Sequence, residues 1–474
     1  MEINNLIFTL SGIRGLANKD LNFNNVKKIA IAYGLWFDYQ NKTIIIGKDT
    51  RPSGNLIEKA LIEGLSVLGF KILNLGICPT PVIIHAKNKF NIPGAIIITG
   101  SHNAQEWNGL KLMSTKTFLN DFDLEIISNY FKTIDLSSYS VIDLNLKQNI
   151  ENLNPIRDYV KDLLKYIDYK EIKVKNNLRV VIDPGAGAGK LVTPKVLNEL
   201  GCDVKIINDE LLVNKDFPRK IEPIKQNLSD LIMEVWQGKY DIGFAHDTDA
   251  DRLAIIGENG VYYPEDIGLA LIAEYYLKTK ADKEKEIIFV TNLASSLRFE
   301  AIAEKYNAKV IRTPVGERFL MEEMDNLLSD QSKNRLVFGG EGSCGGFMFP
   351  YFNNTRDGIF AAAKIVEILV KSGEKVSQLV EKLPKYYSYR ITINIRNMDI
   401  ALCMKKMKTE LINEGENVEQ INKDLRFSQG KDLFVLIHPS NTEPVIRIIS
   451  EAKRESLARV YCEATAELMK LIIN

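Results

Sequence analysis

The chain has 474 residues, too many for one core at ~100–200 residues per domain, so three or four domains are expected. With 45% apolar and 26% charged residues it has a folded globular composition, and 61 Lys+Arg balance 61 Asp+Glu, so net charge favours neither nucleic acid nor a membrane surface. The five cysteines are dispersed without metal spacing or a disulfide framework, the start MEINNLIFTLSG has no basic leader, and no apolar run approaches ~20 residues, so a cytoplasmic protein without membrane or nucleic-acid partners is expected.

In chain order one unit recurs: a β-branched run, a polar or glycine corner, then a segment of helical period. TIIIGKDTRPSG (43–54) leads into NLIEKALIEGLSVLG, with Leu56, Ala60, Leu61, Leu65 and Leu68 at helical spacing. The run Ala95–Thr99 ends at Gly100, Ser101 and His102, either a nucleophile held at a strand end or a polar turn. An Asn-rich spacer (143–160) precedes LRVVIDPGAGAG (178–189), which lacks the first glycine and the Ser/Thr of a P-loop and reads as a turn and helix start, brushing a phosphate at most. FAHDTDADR (244–252) follows. AIIGENGVYYPED (254–266) reads as a hairpin turn and a new start. EIIFVTNLASS (286–296) and RLVFGGEGS (335–343) each precede a helical pattern, and a charged spacer (371–390) ends the repeat. Beyond it come the strand RITINIR, the helix DIALCMKKMKTELI, the strands LFVLIHPS and VIRIIS, and a helix over 453–472.

Alternating strands and helices predict α/β layers. The expected fold is three similar α/β domains with mixed, mostly parallel sheets plus a C-terminal α+β domain, around a central cleft. The expected domains are 1–150, 151–254, 255–372 and 373–474.

Ligands of open α/β sheets sit beyond the carboxyl ends of strands, so the corners carry the chemistry. Asp247, Asp249 and Asp251 crowd three carboxylates that repel unless a cation lies among them, and hard oxygen donors suit Mg²⁺ or Ca²⁺. The alternative is a solvated acidic turn. Arg252 follows at once and is placed to hold a phosphate. Glu341 and Ser343, flanked by four glycines, suit sugar hydroxyls, or form a flexible loop. Ser440, Asn441 and Thr442 offer short donors for an anion, with His438 and Arg447 as positive charge, or form a β-turn. Of the four histidines, three (His102, His246 and His438) lie in these corners.

As a set, the corners resemble the α-D-phosphohexomutases: SGIRG (11–15), GKDTRPSG (47–54), TGSHNAQEWNGLK (99–111), DTDADR (247–252), GEGSCGG (340–346) and PSNTEP (439–444), in the family's order across almost the whole chain. The resemblance implies an intramolecular phosphotransferase that interconverts hexose 1- and 6-phosphates through a phosphoserine and a sugar 1,6-bisphosphate, which also serves as activator. It implies that Ser101 carries the phosphoryl group and that Asp247, Asp249 and Asp251 hold Mg²⁺ together with a phosphoserine oxygen. Arg14 and Arg252 would lie near that phosphate, and Lys111 and His102 would move protons. Glu341 and Ser343 would grip sugar hydroxyls, while Ser440, Asn441, Thr442, Arg447 and His438 would bind the other phosphate. The partners implied are hexose phosphates, and the protein a monomer or homodimer. Departures are Ala104 for the usual proline, Thr248 where glycine is common, and His438 where arginine is usual. The sugar (glucose, mannose, glucosamine or N-acetylglucosamine) stays open. The alternatives are a non-catalytic sugar-phosphate-binding protein and a metal-dependent sugar phosphatase.

Overall fold

A computed structural model describes residues 6–9, 12–139, 149–280, 286–330, 332, 334–342, 345–395, 399–440 and 445–473. The chain forms two compact units, Met1–Gly268 with Cys344–Gln378, and Leu269–Ser343 with Leu379–Asn474.

The first unit begins with a sheet of β1 (Ile7–Thr9), β2 (Gly12–Leu16), β3 (Thr43–Lys48), β4 (Lys71–Ile77), β5 (Gly94–Ile98), β6 (Trp107–Met113) and β7 (Ile150–Asn152), in the order β1-β2-β6-β5-β3-β4-β7. Its centre is parallel: β3 pairs with β4 and β5, and β7 adds to β4. The β6, β2 and β1 side is antiparallel. Ile44, Ile45 and Ile46 are all fully buried, the continuous apolar run expected of strands covered on both faces. Ile44, Ile46, Ile96 and Ile98 join the core under the helices Phe23–Trp36 and Gly54–Ser66. The helix Thr80–Lys89 packs on β3 and β5, where its Ile83 reaches Gly47.

One sequence reading is corrected here. Leu56 is 38% exposed and Ile57 fully buried in its place, whereas Ala60, Leu61 and Leu65 are buried as expected, so the inward stripe of the helix Gly54–Ser66 starts at Ile57. The Asn-rich spacer also holds β7 and the start of the helix Ile156–Leu163; a three-residue edge strand is too short to register as periodicity.

A second sheet in this unit holds β8 (Arg179–Asp183), β9 (Asp203–Ile206), β10 (Ile242–Ala245), β11 (Ala254–Gly257) and β12 (Tyr262–Tyr263), in the order β12-β11-β10-β8-β9. β10-β8-β9 are parallel, while β11 turns back antiparallel on β10 and forms the expected hairpin with β12.

In the second unit β13 (Glu286–Asn292) lies between β14 (Lys309–Thr313) and β15 (Arg335–Glu341), all parallel. A short strand β16 (Gly346–Met348) belongs to the first unit, as does the helix Gly358–Ser372. The C-terminal sheet holds β17 (Tyr387–Asn394), β18 (Glu419–Ile421), β19 (Asp424–Gln429), β20 (Leu433–Pro439) and β21 (Val445–Ala452). It is antiparallel throughout, and the helices Ile400–Asn413 and Glu455–Ile473 supply residues to its core. The β18–β19 hairpin was not anticipated; it turns on two residues, with Asn422 at φ +54°. Among the described residues no helix is long and apolar enough to cross a membrane.

Candidate functional site

β5 ends at Ile98, and three residues later Ser101 adopts φ +48°, a left-handed conformation that costs a non-glycine residue energy and persists only where neighbours enforce it. The neighbour that enforces it is Arg51. Its guanidinium donates to four carbonyls of this corner: Ser101 at 2.9 Å, Asn103 at 2.7 Å, Ala104 at 2.8 Å and Trp107 at 2.8 Å. Asp49, also buried, accepts from Arg51 Nε at 3.2 Å and from the Thr99 hydroxyl at 2.8 Å. Arg51→Met would strand those carbonyls and the Asp49 charge. It is expected to cost about 3–5 kcal/mol of unfolding free energy, the scale of breaking a buried ion pair, measured by urea denaturation.

The aspartate loop links β10 to its antiparallel neighbour β11. It rests on the glycine-rich corner that follows β8. Ala188 N donates to Thr248 O at 2.7 Å, and a Cβ on Gly187 would meet Thr248 Cα at 2.8 Å and Asp247 O at 2.9 Å. The residues read as a failed P-loop are therefore the floor of the aspartate loop. Their glycines admit backbone against backbone.

His246 is structural. Its Nδ1 lies 2.7 Å from Arg252 O and its Nε2 3.0 Å from the Thr193 hydroxyl, so both nitrogens are satisfied in the neutral ring. Burial lowers its pKa from 6.5 to about 4. The folded state therefore binds a proton more weakly than the unfolded chain, and stability is lost as pH falls through 6.5 toward about 4. Urea unfolding should show wild type losing roughly 2 kcal/mol more than His246→Gln between neutral pH and about pH 5.

Asp247, Asp249 and Asp251 are buried, and each offers a carboxylate oxygen within 4.8 Å of the others. The outer oxygens are engaged. Ser101 Oγ donates to Asp247 Oδ2 at 2.9 Å, and the Thr80 hydroxyl to Asp249 Oδ2 at 2.7 Å. Lys111 Nζ lies 2.9 Å from Asp249 and 3.0 Å from Asp251, and Arg356 Nη2 donates to Asp251 at 2.6 Å. The three Oδ1 atoms are buried without a hydrogen-bond partner. Such oxygens are costly unless a cation takes them, so this donor set fits a hard divalent ion. Burial, then Asp249 and Asp251, push Asp247 well above the usual carboxylate range. Burial also pushes Asp251 up, but Arg356, Lys111 and Arg252 outweigh it and hold that carboxyl below the range.

Further cations surround Ser101. Arg14 Nη1 donates to Thr99 O at 2.6 Å, and burial lowers its pKa to about 10. Arg252 Nε lies 3.7 Å from Asp247, and its Nη2 is 2.8 Å from His102 Nδ1. Arginine only donates, so His102 Nδ1 accepts and the neutral ring carries its proton on Nε2. Arg252 first, then burial and Arg14, hold the pKa of His102 well below 6.5.

Ser101, Arg14, His102, Lys111, Arg252 and the three aspartates thus lie together in the first unit. Arg51, Thr80 and Arg356 join them without having been expected.

The remaining candidates belong to the second unit. Glu341, at the end of β15, accepts from Asn292 Nδ2 at 2.9 Å. His438 Nδ1 lies 2.7 Å from Asp424 Oδ1, so one ring nitrogen is committed to a carboxylate. Arg447, its register partner on β21, donates to Ser440 Oγ at 3.2 Å. Ser343, Asn441 and Thr442 lie outside the described residues.

The α/β layers, the corner serine and the buried aspartate loop define a class, the sugar-phosphate mutases built from repeated α/β/α domains. The chain belongs to the phosphoglucomutase/phosphomannomutase family of α-D-phosphohexomutases: family models match α/β/α domain I over residues 5–137, domain II over 157–260 and domain III over 264–387. A phosphoglucomutase/phosphomannomutase of Thermococcus kodakarensis is 34% identical, with 98% of each chain covered. A probable phosphoglucosamine mutase of Pyrococcus abyssi is 32% identical over 98% of this chain and 97% of its own. The crystal structure of a family protein from Burkholderia thailandensis shares the fold, with TM-score 0.80 and 22% identity over 98% of this chain and 97% of that one. An N-acetylphosphoglucosamine mutase of Aspergillus fumigatus, TM-score 0.60 at 13% identity over 99% and 96% of the two chains, is described in complex with GlcNAc-6P and magnesium. A variant of it is described with glucose 1,6-bisphosphate.

Proposed function

We propose that this enzyme interconverts a hexose 1-phosphate and its 6-phosphate through a phosphoserine at Ser101 and a sugar 1,6-bisphosphate, which also primes the unphosphorylated protein. The observation that carries the reading is the Ser101 hydroxyl 2.9 Å from Asp247, at the edge of three carboxylates with orphaned oxygens. Asp247, Asp249 and Asp251 would hold Mg²⁺, which when bound neutralises charge on the phosphoryl group.

The P–Oγ bond of Ser101 breaks as the bond to the sugar O6 forms. Lys111 relays the proton lost by O6 to the leaving Ser101 oxygen. Arg14 and Arg252 stabilise charge on the phosphoryl oxygens, since such transfer depends on positioning and neutralisation more than on covalent chemistry. His102, with its proton on Nε2, acts as a hydrogen-bond donor rather than as a base. The reverse transfer from O1 restores phosphoserine. Glu341 and Ser343 bind sugar hydroxyls, while Ser440, Asn441, Thr442, Arg447 and His438 bind the phosphate that is not transferred. With Nδ1 committed to Asp424, His438 offers only Nε2 to that phosphate.

The relatives' names span glucose, mannose and glucosamine phosphates, and we take all three as candidate substrates, with N-acetylglucosamine phosphate as the fourth. Purified protein assayed with Mg²⁺, a bisphosphate primer and the four sugar 1-phosphates side by side should yield a 6-phosphate isomer from at least one. Release of free phosphate instead would indicate a phosphatase, and binding without turnover a sugar-phosphate-binding protein; either result overturns the reading.

A further inference from the structure

Thr248 lies between two of the aspartates, Asp247 and Asp249. Its hydroxyl sits 2.9 Å from Asp49 Oδ2 and 2.8 Å from Ser101 O. All three groups are buried. A threonine hydroxyl has one proton, so it donates to one acceptor or is shared between both. Either way it joins three segments distant in sequence: the corner after β3, the corner after β5 and the aspartate loop after β10.

We propose that Thr248 is a positioning residue for phosphoryl transfer, a hydrogen-bonded strap that fixes Ser101 against the aspartate triad. The inference rests on the reading of Ser101 as the phosphoryl carrier. Both acceptors are already anchored. Asp49 is held by Arg51 and Thr99, and the Ser101 carbonyl accepts from Arg51 Nη2 at 2.9 Å. The Ser101 peptide is therefore gripped from two sides, by Arg51 of its own domain and by Thr248 of the aspartate loop. That grip maintains the left-handed backbone at φ +48° and sets the direction of the Cα–Cβ bond. The Ser101 side chain donates from Oγ to Asp247 at 2.9 Å, and that donor is lost once the oxygen carries a phosphoryl group. In the phosphorylated enzyme the strap through the Ser101 carbonyl persists, because it uses no atom of the side chain.

The isosteric variant Thr248→Val removes the hydroxyl and keeps the volume, and Thr248→Ser keeps the hydroxyl and removes the methyl. In Thr248→Val, amide hydrogen exchange in the peptide spanning 99–107 should rise roughly tenfold, the scale of one buried hydrogen bond. Its kcat should fall by about tenfold or more at unchanged KM, as expected when positioning and not binding is lost. Thr248→Ser should restore both. Wild-type exchange and kcat in Thr248→Val, or equal impairment of the Val and Ser variants, would overturn the proposal, the second because it assigns the role to the methyl group. Failure of the underlying reading shows separately, as wild type without isomerase turnover; the exchange comparison still decides whether the strap exists.

Discussion

Ser101→Ala is expected to lower turnover by at least ~10⁴-fold, the scale of removing a covalent nucleophile, and added sugar bisphosphate should not rescue it. The variant keeps the corner that presents the residue, because Arg51 grips backbone carbonyls and Thr99 Oγ1 accepts from the residue 101 amide at 2.8 Å. It loses only the Oγ bond to Asp247. Unfolding stability should therefore stay close to wild type, which separates a chemical loss from a folding defect. The check is conversion of hexose 1-phosphate to 6-phosphate with Mg²⁺ and bisphosphate present. Activity within tenfold of wild type would remove Ser101 from the chemistry.

Asp249→Asn should cut turnover by at least ~10²-fold, the cost of losing one electrostatic contact to a transition state. Asp249 is the aspartate whose Oδ2 takes both Thr80 and Lys111, leaving Oδ1 orphaned for the ion. The amide keeps the shape but halves the acceptor capacity and removes a charge that the ion needs. Calorimetric titration should show weaker Mg²⁺ binding, and wild-type enzyme stripped with EDTA should lose its rate until Mg²⁺ is returned. Full turnover in the variant, or in the stripped enzyme, would refute the metal assignment.

What the amino-acid sequence made legible was local. The Ser101 corner and the 247–251 triplet are short patterns at strand ends, visible from residue type and spacing alone. The alternation of strands and helices carried the α/β layers, because apolar β-branched runs buried on both faces differ sharply from helical stripes. The partners of the site were not legible. Arg51 acts through backbone carbonyls of residues 101–107, which no side-chain pattern betrays. Thr80 and Arg356 meet the aspartates across 169 and 105 residues of chain. The glycines of 185–189 looked like a defective phosphate loop because spacing alone does not reveal that their neighbour is another loop's backbone. His438 reads as a free cation until Asp424 is placed beside it, and Asp424 starts a strand of the unanticipated hairpin. Leu56 failed for a simpler reason: it and Ile57 are both apolar and adjacent, and only Ile57 continues inward from the stripe of Ala60, Leu61 and Leu65.

The central claim, that Ser101 carries the phosphoryl group between substrate and product, is tested most directly by following the phosphate itself. Purified enzyme is primed with bisphosphate carrying a labelled phosphoryl group, freed of excess, and digested before and after a chase with unlabelled hexose 1-phosphate and Mg²⁺. The expected result is label on the peptide containing Ser101, leaving it during the chase and appearing in hexose 6-phosphate and bisphosphate. Label that never reaches Ser101 while isomer still forms, or that leaves it only as inorganic phosphate, would contradict the account.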